Sequence, residues 1–232
     1  MANPAQILHG IFIQWDTDKI ASVSRGLKTG ETSEFESSVQ RLRFAAMQLT
    51  AIEELLGNMR ANGIDVSKWD GPLSRWTQGL FLFPFGWDNR QGLSLDVRDI
   101  EMLAALGDVL QYQIPKLKSD GAEEILDFID RLEHTVSQEK MNEHLRRHVV
   151  NIVSHIRWCI TNFEFVGEFE LEKALQQLAA SVCLQVQEDE QTSSEPSKFR
   201  EFMDSWVKPF TVGALAGYMG NLLSSGTLAI TH

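Results

Sequence analysis

Residues 33–63 read SEFESSVQRLRFAAMQLTAIEELLGNMRANG, and this stretch decides the fold class. Apolar side chains recur in it at steps of three and four residues, which is the spacing of one face of an α-helix. The positions are Phe35, Val39, Leu42, Ala46, Leu49, Ile52, Leu56 and Met59. They predict an amphipathic helix of about eight turns. Ser33 and Glu36 have the spacing of a capping box at its start, and Gly63 suits its end.

The same helical period continues over most of the chain. It predicts a helix before Pro115 with an apolar face of Val97, Ile100, Leu103, Leu106, Val109 and Leu110. It predicts another over about 121–135 with Ile125, Leu126, Phe128, Ile129 and Leu132 facing inward. Asn3 followed by Pro4 is typical of a helix start, because Asn caps and Pro is tolerated at the first helical position. Gly167 interrupts the helical pattern of the C-terminal half. We therefore predict an all-α fold, a multi-helix bundle.

Composition shifts divide the chain into five predicted segments. They are an N-terminal helical unit (1–63), an aromatic insertion (64–93), a helical hairpin array (94–186), an acidic linker (187–198) and an apolar C-terminal tail (199–232).

Charge and cysteine content exclude several classes of protein. The chain has 232 residues and a net charge of −11, so a basic footprint for nucleic acid is absent and we expect no nucleic-acid partner. Cys159 and Cys183 are too few for a disulfide framework, which indicates a reducing compartment. With no signal-peptide pattern at the start, we expect a cytoplasmic protein. No glycine-rich phosphate loop or nucleophile motif occurs, so we expect no cofactor and favour a non-enzymatic role.

The aromatic insertion breaks the helical pattern with Gly71-Pro72, Pro84, Gly86 and Gly92. Phe81, Phe83 and Phe85 alternate with a period of two, which leaves a short β-hairpin open as an interpretation. The aromatic side chains either cover one end of the bundle or form a docking surface for a partner. The candidate contact residues are Trp69, Trp76, Phe83, Phe85 and Trp87.

A stripe of histidines is predicted along one helix face. His144, His148, Asn151 and His155 follow one another at steps of four, three and four residues. We interpret the stripe as structural, at the edge of the apolar face. The alternatives are a metal site at His144 and His148, or a hydrolase or nuclease site that adds His155 and Arg147. The arginine and histidine spacing of small helical nucleases of the HEPN type is not met, because seven residues separate Arg147 from His155.

The C-terminal tail carries no charge over residues 209–231. Gly213, Gly217 and Gly220 form a small-residue face of the kind that allows close helix packing, and Trp206 precedes it as an interfacial anchor. We predict one apolar helix or a helix pair. It packs on the bundle, self-associates, or inserts into a membrane as a peripheral or conditional anchor.

The sequence therefore favours a non-enzymatic protein that acts by protein–protein interaction or self-association. An effector of the toxin or antiviral type, whose tail oligomerises or enters a membrane, is a variant of this hypothesis. The alternative is a helical nuclease or metal-dependent hydrolase built on the histidine stripe.

Overall fold

The structure is a computed structural model and describes residues 2–17, 19–28, 31–81, 95–114, 116–117, 119–138 and 143–192. Helices dominate this part of the chain, which contains no strand, and the predicted all-α bundle is confirmed. The helices are α1 (Pro4–Trp15), α2 (Ala21–Ser24), α3 (Thr32–Ala61), α4 (Asp70–Phe81), α5 (Val97–Leu110), α6 (Gly121–Gln138), α7 (Glu143–Thr161) and α8 (Phe163–Thr192).

The chain forms two compact units. The first combines Met1–Ile114 with Glu164–Phe169, and the second combines Pro115–Phe163 with Glu170–His232. The predicted boundaries after residues 63 and 93 both fall inside the first unit. Helix α5, which the sequence grouped with the later helices, packs on α1, because its apolar side chains enter the core of the first unit.

Helix α1 lies at the centre of the first unit, between α3 and α5. It contains no Asp, Glu, Lys or Arg, and its seven buried residues lie on one broad face, while Ile13 on the opposite side is 50 % exposed. The predicted start is confirmed: the Asn3 side chain accepts from the backbone N–H of Gln6, and the Gln6 side chain accepts from that of Asn3. The Asn3 Nδ2 also donates to the carbonyl of Gly107 at 2.7 Å, which joins the start of α1 to α5.

Part of the predicted aromatic insertion is helical. Residues Ser67–Trp69 form a 3₁₀ turn that leads into α4. The prediction that Gly71-Pro72 breaks the helix is wrong because Pro72 lies in the first turn of α4. A proline there needs no intrahelical N–H bond. The predicted hairpin is wrong at Phe81, which is the last residue of α4, and its other two residues, Phe83 and Phe85, lie outside the described residues.

The break at Gly167 is confirmed and divides α8. Gly167 has φ 74° and ψ −176°, a conformation that interrupts the helix. The buried side chain of Gln48 donates to the carbonyls of Phe165 at 2.7 Å and Val166 at 3.2 Å. These carbonyls precede the break, so Gln48 satisfies groups that the interrupted helix leaves without helical partners. Phe44 stacks on Phe165 with ring centroids 5.0 Å apart.

The second unit contains α6, α7 and the part of α8 that follows Phe169. Four of the five residues predicted to face inward from α6 are buried, and the fifth, Leu126, is half-buried; the four are Ile125, Phe128, Ile129 and Leu132. Helix α7 packs on α6, and its guanidinium at Arg157 contacts the carboxylates of Asp130 at 2.5 Å and Glu133 at 2.7 Å. One arginine thus links two turns of the neighbouring helix.

Two helix ends differ from prediction. Helix α3 begins at Thr32 with Glu31 at the N-cap, so Ser33 lies inside the first turn and is not the cap. Helix α8 extends to Thr192, so the first six residues of the predicted acidic linker, 187–192, are helical. Gln and Glu are good helix formers, and they continue a helix that is already nucleated. Residues 193–198 lie outside the described residues.

Candidate interaction surface at the α4–α5 junction

The ends of α4 and α5 meet beside the segment that carries the predicted contact aromatics. A Cβ built on Gly79, near the end of α4, would lie 2.8 Å from Cγ of Leu95, two residues before α5 begins. Only a residue without a side chain allows this approach at position 79. The two ends of segment 82–94, whose residues lie outside the described ones, are therefore held together.

A buried arginine holds the C-terminal end of α4. Arg25 is 3 % exposed and donates from Nη1 to the carbonyl of Leu80 at 3.0 Å and from Nη2 to that of Gly79. Its guanidinium lies 4.9 Å from the ring centroid of Trp15, within range of a cation–π interaction. Burial lowers the pKa of Arg25 to about 10, so the group is still charged at neutral pH. It satisfies carbonyls that the last turn of a helix leaves exposed.

A second set of contacts holds the start of α5. The indole Nε1 of Trp76 donates to the backbone carbonyl of Asp99 at 2.8 Å, and Arg75 Nε donates to the Asp99 carboxylate at 2.7 Å. Asp99 is buried in the first turn of α5, where a negative charge is favoured by the helix dipole. The indole and the guanidinium, both on α4, therefore fix the start of α5.

Two apolar side chains stand at the surface of this junction. Phe81, the last residue of α4, is 52 % exposed, and Val97, the first residue of α5, is 66 % exposed. Each lies two residues along the chain from the Gly79–Leu95 contact. The helical period of α5 predicts burial for Val97, and this is wrong because the buried part of α5 begins two residues later, at Asp99 and Ile100. We call Phe81 and Val97 the junction surface.

The predicted contact residues fall into two groups. Trp69 and Trp76 are buried in the core of the first unit, at 3 % and 0 % exposure. This placement favours the interpretation in which these two tryptophans cover the core. It disfavours the interpretation in which they contact a partner. Phe83, Phe85 and Trp87 lie in segment 82–94, outside the described residues, and stay predictions.

The predicted histidine stripe lies on the outside of α7. His144, His148 and His155 are all exposed, as is Arg147, which pairs with Glu143 at 3.6 Å. The ring of His155 stacks on Trp158 with centroids 5.6 Å apart. Among the residues that the structure describes, no three His, Cys, Asp or Glu side chains are grouped as a metal site.

Two buried groups in the second unit have raised pKa values. Burial, with a smaller effect of Glu170, raises the pKa of the Cys159 thiol to about 12, which leaves it protonated and unsuited to nucleophilic catalysis. Burial raises the pKa of the Glu172 carboxyl from 4.5 to about 7, although the side chain of Gln176 donates to it at 3.0 Å and opposes the rise.

Glu172 should make the stability of the protein depend on pH. The folded state holds the Glu172 proton more tightly than the unfolded chain, so the stabilising contribution of this group is complete below pH 4.5 and is lost as the pH rises to about 7. The full difference corresponds to roughly 3 kcal/mol, which local relaxation reduces. We expect Glu172→Gln to raise the free energy of unfolding by about 2 kcal/mol above pH 7 and by almost nothing below pH 4.5. Urea unfolding at several pH values measures this, with the exposed Glu164→Gln as the control.

Sequence reasoning did not find the residues that build the junction. Gly79 follows Arg25 by more than 50 residues and Asp99 follows it by more than 70, so no local spacing in the sequence links the three. The position of Arg25, directly after the short helix α2, is only a weak indication in the sequence that this residue contacts another helix. Its partners, the carbonyls at the end of α4, are visible only in the folded chain.

Comparison of the chain with protein-family models, with curated proteins and with solved structures finds no match.

Within the residues described, none of the helices combines the length and the apolar character that crossing a bilayer requires. The tail residues singled out by the sequence, Trp206, Gly213, Gly217 and Gly220, lie outside the described residues.

Proposed function

We propose that this chain is a non-enzymatic cytoplasmic protein that binds another protein through the junction surface and the aromatic residues that follow it. The observation that carries the proposal is the exposure of Phe81 and Val97 at the ends of segment 82–94, whose ends are held together. Phe83, Phe85 and Trp87 lie between these ends in the sequence. Phenylalanine and tryptophan at this density are typical of an interface core.

The contacts that fix the facing ends of α4 and α5 support a role in binding a partner, in addition to packing. Arg25 fixes the end of α4, and Trp76 and Arg75 fix the start of α5. Apolar side chains presented from fixed helix ends need little further ordering when a partner binds. The partner we expect is a protein with an apolar face, because a net charge of −11 disfavours nucleic acid.

The charge-free tail is the second contact segment of this proposal, and its support comes from the sequence. The small-residue face of Gly213, Gly217 and Gly220 suits self-association, and Trp206 suits a membrane interface. Either use would fit an effector of the toxin or antiviral type. The metal-dependent hydrolase alternative gains no support from the described residues, which group no three metal-binding side chains.

Site-specific photo-cross-linking tests the proposed surface. A photoreactive phenylalanine analogue replaces Phe81 or Trp87 in cells that produce the protein. We expect both positions to form a covalent adduct with the same partner, or with a second copy of this chain. With that partner purified, Trp87→Ala should weaken binding by about 2 kcal/mol, roughly thirtyfold, as for an interface hot spot.

Phe35 provides the matched control, since it is an exposed phenylalanine of similar accessibility on α3, 45 % against 52 % for Phe81. Adducts at Phe35 but not at Phe81 or Trp87 would contradict the proposal. If the adduct is a second copy, sedimentation velocity of the full chain beside a chain ending at Lys208 shows whether the tail contributes to self-association.

A further inference from the structure

His144 and His148 lie four residues apart on the outer face of α7, and both are exposed. Side chains at this spacing are neighbours on a helix, with Cβ atoms about 5–6 Å apart, and they extend in the same direction. Two imidazoles so placed can bring one nitrogen each to a single ion, as His pairs at i and i+4 do in helical zinc sites. His9, His134 and His232 have no histidine three or four residues away.

We propose that His144 and His148 chelate one divalent transition-metal ion of the nickel, copper and zinc class. Imidazole is a preferred ligand for these ions, whereas magnesium and calcium prefer oxygen. The proposed site has these two protein ligands, with water in the remaining coordination positions, and within the described residues no third metal-binding side chain is grouped with the pair. The site is therefore a binding site, distinct from the three-ligand arrangement of hydrolytic zinc centres.

Helix α7 presents the pair on an ordered scaffold. Val149, Ile152 and Ile156 are buried, and Arg157 is paired with two carboxylates of α6. The imidazoles are thus carried by a helix that is packed against its neighbour, so binding of the ion requires little ordering of the backbone.

His155 does not belong to the chelate. It lies seven residues beyond His148, a rise of about 10 Å along the helix. Its ring stacks on Trp158, and its Nε2 lies 3.7 Å from Sγ of Cys159. Cys159 is fully buried, so its sulfur does not lie on the exposed face that carries His144 and His148. His155 is therefore a histidine of the same helix that should have no effect on metal binding.

Calorimetric titration of the full chain with Ni²⁺ at neutral pH tests the proposal. We expect saturable binding of one equivalent, and none with Mg²⁺. Loss of even an outer-shell partner of a metal ligand typically weakens affinity 10–100-fold, so His144→Ala and His148→Ala should each weaken it by at least about tenfold. His155→Ala should change affinity by less than about twofold. Alanine favours the helix, and far-UV circular dichroism verifies that α7 is retained in each variant.

Absence of saturable Ni²⁺ binding to the wild-type chain would overturn the proposal. Affinity that survives His148→Ala unchanged would place the ion elsewhere and overturn it equally. A loss in His155→Ala as large as that in His148→Ala would show a diffuse histidine surface instead of a chelate. None of these outcomes bears on the junction surface.

Discussion

Replacement of Gly167 by alanine is expected to lower the free energy of unfolding by roughly 2–5 kcal/mol. Gly167 has φ 74° and ψ −176°, a backbone region that is essentially restricted to glycine. A Cβ at this position would also lie 2.7 Å from Cδ1 of Ile7 and 2.8 Å from the carbonyl oxygen of Ala2. The carbonyl belongs to the backbone and cannot move aside as a flexible side chain can, so the two penalties add.

Gly57 provides the matched control for this substitution. It lies within α3, is exposed, and has open space around its Cβ position. Gly57→Ala should therefore raise the free energy of unfolding by about 0.5–1 kcal/mol, because alanine loses less conformational freedom in a helix. Urea denaturation followed by circular dichroism measures both variants. If Gly167→Ala unfolds at the wild-type urea concentration, the left-handed break in α8 does not exist in solution.

Truncation of Trp76 to alanine should destabilise the first unit by about 3–5 kcal/mol. Trp76 is completely buried, and it is one of the two largest side chains in that state. Its indole N–H also donates to the carbonyl of Asp99, which would be left without that donor at the start of α5. Trp76→Phe keeps most of the apolar contact and should cost about 1–3 kcal/mol, mainly for the lost hydrogen bond.

Trp158 is the control for Trp76, because it is a half-buried tryptophan in the second unit. Trp158→Ala should cost less than Trp76→Ala by at least about 1 kcal/mol, since it removes less buried surface. The same comparison separates the two interpretations of Trp76. Wild-type stability in Trp76→Ala, together with loss of binding to the partner cross-linked at Phe81, would assign Trp76 to a contact surface and not to the core.

Local patterns in the sequence predicted the elements that depend on neighbouring residues. The helical period of α6 identified five inward-facing residues, of which Leu126 is half-buried and the other four are buried, namely Ile125, Phe128, Ile129 and Leu132. Asn3 and Pro4 identified the start of α1, because capping involves residues within one turn. Gly167 was identified as a break for the same reason, because a single glycine is enough to allow a change of backbone direction.

Local patterns gave wrong predictions where the structural effect of a residue depends on its position in a helix or linker. Pro72 predicts a break within a helix but is tolerated in a first turn, and only the start of α4 at Asp70 decides between the two. Acidic residues at 188–190 are typical of a linker, yet they also continue an existing helix. The same ambiguity applies to the candidate contact residues. Two of its five aromatic residues, Trp69 and Trp76, entered the core, and aromatic density cannot distinguish a plug from an interface.

The sequence by itself determined that this protein is a set of helices, since apolar spacing along the chain is a local property and is read without knowing what each helix contacts. Only the tertiary structure decided which helices belong together. The placement of α5 against α1 rests on contacts such as that between Asn3 and Gly107, 104 residues apart. The closure of the α4–α5 junction by Arg25 spans 55 residues to Leu80. Such pairings depend on shape and on hydrogen-bonding groups that meet only after the chain has folded. The spacing of residues along the sequence does not predict them.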